Sequence, residues 1–171
     1  AILNNASLYN YGYSGNALLH SDDISNTLSL TNSVVLTSGE LVSGSGITLN
    51  ADNPRLYGSV NNASVISLDN NSFWTLNQGS TFNTLSVNNS YIDLRSNTAD
   101  TYNTLEVDTI DGTGGTLMVN ADVGSGRSDL LNARHITGGT YILDVANNGS
   151  SKANGREVLA IVQADINDAS Y

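Results

Sequence analysis

The chain has 171 residues, enough for one domain with a real core, and carries 24 Asn and 16 Gly but one Pro and no Cys. Its net charge of −10, with six scattered Lys and Arg, excludes a phosphate-backbone binder; the missing cysteines exclude disulfides and thiolate chemistry. Hydrophobic residues make up 39% and recur in short β-type runs such as Ser64-Val65-Ile66-Ser67-Leu68, which excludes disorder except at the ends.

From the N-terminus the chain repeats itself at 19 residues. Leu28-Ser29-Leu30 returns as Ile47-Thr48-Leu49, Ile66-Ser67-Leu68 and Leu85-Ser86-Val87, then one residue late as Leu105-Glu106-Val107. One step backwards lands on Tyr9-Asn10-Tyr11. Period-two alternation sends the outer pair of each triplet inward and the polar middle residue outward. Two buried columns are therefore expected: Tyr9, Leu28, Ile47, Ile66, Leu85 and Leu105, and beside them Tyr11, Leu30, Leu49, Leu68, Val87 and Val107. Asn32, Asn70 and Asn89 recur on the same count, with Ala51 interrupting, and Asn tolerates the left-handed backbone of tight corners. Asn71-Ser72-Phe73-Trp74 and Asn89-Ser90-Tyr91-Ile92 sit one residue off that register, the mark of a corner that varies in length.

A sandwich or barrel needs turns but no fixed period, and the Leu-x-x-Leu-x-Leu signature of a leucine-rich repeat is missing. The spacing predicts an all-β fold, a right-handed parallel β-helix of about 19 residues per rung, each rung stacking on the last at about 4.8 Å. Rungs occupy 1–111. After Asp111-Gly112-Thr113-Gly114-Gly115 the strand-like runs lose the period, so 112–171 is expected to be an atypical C-terminal cap continuous with the coil.

That cap carries Ser128-Asp129-Leu130-Leu131, Gly138-Gly139-Thr140-Tyr141-Ile142-Leu143-Asp144-Val145, Asn147-Asn148-Gly149 and Gly155-Arg156-Glu157-Val158-Leu159-Ala160-Ile161-Val162. Their order resembles the autochaperone region that ends the passenger of pertactin-like autotransporters of Gram-negative bacteria. The resemblance implies a non-catalytic stretch of surface passenger whose C-terminal part nucleates folding during secretion. It makes Leu130, Tyr141, Leu143, Val145, Val158 and Ile161 the folding segment. It also implies an outer-membrane or cell-surface location, upstream rungs and a downstream membrane barrel as partners, and the chain as an excised fragment. A host protein, a glycan or self-association remain open as further partners; actin-recruiting members and self-associating adhesins of the family are equally open.

Nothing in the residues reads as a catalytic, cofactor or metal site. His20 and His135 lie far apart with no third ligand. Asp52, Asp69 and Asp93 do not recur at 19, so no line of polysaccharide-cleaving carboxylates is implied, and Asp108, Asp111 and Asp122 lack the calcium nonapeptide. Gly112-Thr113-Gly114-Gly115 lacks the lysine and helix of a phosphate loop. Adjacent strand residues face opposite ways, so one of Phe73 and Trp74 belongs to the core and the other is a candidate carbohydrate or partner contact.

Overall fold

A computed structural model describes residues 1–10, 17–22, 25–149 and 151–171. In chain order the strands are β1 (Ile2–Asn4), β2 (Ser7–Asn10), β3 (Leu19–His20), β4 (Asn26–Thr31), β5 (Val34–Ser43), β6 (Ile47–Asp52), β7 (Arg55–Asp69) and β8 (Phe73–Thr75). There follow β9 (Ser80–Asn88), β10 (Tyr91–Asp93), β11 (Thr104–Thr113), β12 (Gly115–Asp122), β13 (Arg127–Ser128), β14 (Leu130–Ile136), β15 (Tyr141–Asn147) and β16 (Val162–Asn167). Among the described residues fourteen of the fifteen strand pairings are parallel and join residues one rung apart. That is a parallel β-helix with three faces.

The first face stacks β1, β4, β6, the end of β7 and the later halves of β9 and β11. The second stacks β2, the starts of β5 and β7, then β8, β10, β12 and β15. The third runs from β3 and the end of β5 through the middle of β7 to the starts of β9, β11, β14 and β16. Three inward rows meet in one continuous core, from Leu28 to Tyr141.

The rungs are not uniform. Paired residues Leu3–Leu30, Leu28–Leu49, Leu49–Ile66, Ile66–Leu85, Leu85–Ile110, Ile110–Ile136 and Ala133–Ala164 are 27, 21, 17, 19, 25, 26 and 31 apart. Of these seven steps only Ile66–Leu85 spans 19 residues, and this corrects the columns. Leu28 lies on Leu49 rather than Ile47, whose partner is Asn26. Leu85 lies on Ile110, while Leu105 and Val107 lie on Ser80 and Phe82 in the third face. Because the errors at Ile47 and Leu49 are two residues, every inward residue there still points inward, and Leu28 to Val107 of both columns are buried. Tyr9 is a true correction: it pairs with Leu36 on the second face and is 52% exposed. Tyr11 lies outside the described residues.

The corner between the first and second faces explains the asparagines. Asn5, Asn32, Asn53, Asn71 and Asn89 adopt left-handed backbone there, followed by Gly114. Their N–H groups donate to the next rung at Thr31, Asp52, Asp69, Asn89 and Thr113, and Gly114 donates to Thr140. Asn53, not Ala51, fills the expected gap, since Ala51 is core. Asn70 and Asn71 are both left-handed, so this corner is one residue longer, which is the slip visible in the sequence. Ser33, Ser72 and Ser90, behind these asparagines, are buried and bond backbone carbonyls of the turn.

Candidate binding surface

The second face differs from the other two on its solvent side. One outward column runs Val34, Arg55, Phe73, Tyr91, Thr116 and Ile142; the next runs Tyr9, Leu36, Tyr57, Thr75, Asp93 and Met118. The first face instead shows Thr27, Thr48, Val65, Thr84 and Thr109, and Ser29, Asn50, Ser67, Ser86 and Asp111. Apolar and aromatic side chains on the outside of this coil are thus concentrated on one sheet.

Phe73 and Trp74 divide as alternation requires. Trp74 is 1% exposed, donates its indole N–H to the Gly58 carbonyl at 2.8 Å and packs against Phe82. Phe73 points outward, stacked on Tyr91 with ring centroids 5.7 Å apart, and the Arg55 guanidinium lies 5.9 Å from its centroid on the previous rung. Beside this ladder runs the asparagine corner, where Asn53 donates its amide to Asn32 Oδ1 at 2.8 Å. Between the two lies a groove of about 460 Å³, lined by Asn32, Asn53, Pro54, Arg55, Asn71, Phe73 and Tyr91 among others. Its nine lining residues include no carboxylate.

Alternation pointed to one of Phe73 and Trp74 as a contact, and the ladder that Phe73 forms with Arg55 and Tyr91 went unread. Its signal is an 18-residue repeat, Asn53-Pro54-Arg55, Asn71-Ser72-Phe73 and Asn89-Ser90-Tyr91, hidden by counting in nineteens.

Elsewhere three arginines are paired with carboxylates. Arg95 forms a two-pronged pair with Asp93 at 2.8 and 3.0 Å, Arg134 meets Asp108 at 3.0 Å, and Arg127 meets Asp100 at 2.9 Å. His20 lies 3.0 Å from Asp22, and His135 3.6 Å from Asp168. Asp108, Asp111 and Asp122 are not brought together. Asp108 pairs with Arg134, Asp111 sits on the first face, and Asp122 caps the turn Val123–Ser125. Among the described residues no three His, Asp or Glu side chains form a group able to hold a metal ion.

The C-terminal strands continue the same stack. β12 lies on β10 and β14 on β11, with no break in the ladder. β13 runs antiparallel to β12, pairing Ala121 with Ser128 and Asp122 with Arg127. Asp129, just after this hairpin, is fully buried, and its carboxylate accepts the backbone N–H groups of Asn103 at 2.6 Å and Asn120 at 2.7 Å. Tyr141 is buried, with its hydroxyl donating to the Gly112 carbonyl at 3.0 Å; burial pushes its phenol up to about 12. Leu130 is half-buried, and Leu143 and Ile161 pack on the core from partly buried positions. Val145 and Val158 are exposed.

A model of the pertactin family, described as Pertactin, matches residues 82–171, just over half of the chain. The chain belongs to the pertactin family. It is 36% identical over 110 residues to a probable autotransporter, YcgV, of Escherichia coli K12, covering 60% of this chain. It is 26% identical over 153 residues to the autotransporter adhesin/invasin TibA of Escherichia coli O78:H11, covering 83% of this chain. The matched stretches span 11% and 15% of those two proteins. No solved structure matches. The chain is therefore an autotransporter passenger-type region, from a class of surface-exposed, outer-membrane-linked proteins of Gram-negative bacteria. Neither likeness singles out an actin-recruiting member.

Proposed function

We propose that this chain is a non-catalytic stretch of passenger β-helix whose residues 112–171 nucleate and stabilise its folding. The observation that carries the reading is the β12–β13 hairpin. Every parallel pairing joins residues at least 17 apart, so it must close a long loop before any contact repays the entropy. The hairpin joins residues five and seven apart, and its turn is capped at both ends. Asp122 accepts the Ser125 N–H at 3.2 Å, and Gly126 closes the turn in left-handed backbone. Closing so short a loop costs little entropy, and hairpins form on a timescale of about 1–10 μs. Asp129 then fastens it to Asn103, one rung back, where β14 lays down on β11.

The upstream rungs would grow from that seed, and a membrane barrel downstream would deliver this end to the surface first. A chain ending at Asp111 should refold more slowly and stay protease-sensitive, with partial rescue when 112–171 is supplied separately. Replacing Leu143 with Asp in the whole chain should produce the same defect. Refolding of the shortened chain as fast and as complete as the parent would overturn the role. The non-catalytic reading is supported by Asp93, Asp100 and Asp108 each being held by an arginine. Release of reducing ends from a polysaccharide panel with added calcium would refute it.

A further inference from the structure

The groove beside the aromatic ladder has a chemistry that the folding role does not use. The geometry points to this groove as a subsite for a carboxylated saccharide, a sialic or uronic acid unit, with Arg55 as the carboxylate-binding group. This inference stands independently of what residues 112–171 do.

The protein carries 16 Asp and Glu against six Lys and Arg. Arg95, Arg127 and Arg134 each hold a carboxylate within about 3 Å. Arg55, in contrast, has no carboxylate partner among the described residues. Its guanidinium rests against the Phe73 ring, in a groove with no acidic lining residue. A guanidinium binds a carboxylate through two parallel N–H donors, and a flat ring behind it fixes its orientation. Asp52 and Asp69 stand at the neighbouring corner, where each accepts an asparagine amide, from Asn70 and Asn88, and neither lines the groove. With a Debye length of about 8 Å at physiological salt, the guanidinium inside the groove acts on a bound anion more strongly than acidic groups farther off.

Asn32, Asn53 and Asn71 line one side of the groove; one Asn53 N–H is taken by Asn32 Oδ1, and the other amide N–H and C=O groups of the row suit the hydroxyls of a sugar. Phe73 and Tyr91 line the other side; Arg55 and Tyr91 cover the two faces of the Phe73 ring, so what the pair offers a pyranose is an apolar wall of ring edges. Both rows repeat once per rung, at about 4.8 Å, close to the length of one sugar unit along a chain. The groove lined by Asn83, Glu106, Asp108, Asn132, Arg134 and Asp165 is the natural contrast. There the guanidinium is already paired with Asp108, and Glu106 and Asp165 add negative charge, so an acidic sugar is repelled.

Saturation-transfer NMR on the whole 171-residue chain, with sialyllactose, a galacturonate trimer and neutral lactose, tests the assignment. Transfer to at least one acidic sugar and little to lactose is expected. Arg55→Gln should weaken that binding at least tenfold, and Arg55→Lys and Phe73→Ala several-fold, with unchanged circular dichroism. Arg134→Gln should leave it intact. The assignment is lost if neither acidic sugar binds, if lactose binds equally, or if Arg55→Gln binds as the parent does. Equal competition by a glutamate peptide or inorganic phosphate would also overturn it, reducing the site to a generic anion contact.

Discussion

Asp129 has an ionisable side chain with no solvent contact and no arginine on it; what holds it is backbone. Its two oxygens receive the N–H groups of Asn103 and Asn120, while its own N–H donates to the Asn120 carbonyl. Burial pushes its carboxyl above the ordinary range, and the two N–H bonds offset only part of that rise. Asp122 is displaced the other way: bonding from Ser125, then from Ser151, holds its carboxyl below the ordinary range against its desolvation. The signs of their pH effects therefore differ. A raised folded value means the folded state binds the proton more tightly, so Asp129's contribution improves as pH falls towards its unfolded value near 4. A lowered value means Asp122 stabilises above about pH 4 and its contribution disappears as pH drops through its folded value. Asp129→Asn should flatten the first limb of a stability–pH curve, and Asp122→Asn the second. Asp129→Ala, which orphans two buried N–H groups, should cost about 2–4 kcal/mol in urea unfolding. No deviation of these two limbs in either variant would mean other carboxylates control the profile.

At the scale of the strand and its corner, left-handed asparagine does what a β-branched residue cannot. Asn89, at φ 47, turns the chain from β9 into β10 while its N–H bonds Thr113 on the next rung. Asn89→Gly should be nearly neutral and Asn89→Ala should cost about 1 kcal/mol, because only the latter places an unassisted Cβ in left-handed backbone. Equal melting temperatures for the two would show that the asparagine is kept for another reason. This corner was legible in the sequence because it recurs wherever a rung passes, and the inward faces were legible because alternation survives a two-residue error. Rung length was not: corners between the other faces admit extra residues, as in the stretch between β10 and β11, at no cost to the stack. Tyr9 was misplaced for that reason, since the first rung spans 27 residues and a 19-residue step back falls on the wrong face. Arg55, Phe73 and Tyr91 went unread as a set because no single rung contains more than one of them. The clamp at Asp129 leaves no periodic trace, as it occurs once.

For the whole molecule, the backbone hydrogen bonds between rungs all lie along the axis of the coil, one rung above another. A load applied between Ala1 and Tyr171 therefore pulls across those bonds in sequence instead of shearing them together. Under tension the protein should peel from an end, one turn at a time, at modest force. Each turn holds 17 to 31 residues, so every event should lengthen the tether by about 60–110 Å. Optical-trap traces should show a staircase of unequal steps in that range, against a single large rip if the coil yielded as a block. Run in the other direction, the same staircase is a ratchet. A chain threaded through a narrow pore and emerging C-terminal end first would wind up one turn per stretch of emerged backbone. Each completed turn would resist sliding back, so export of such a chain could be driven by its own winding.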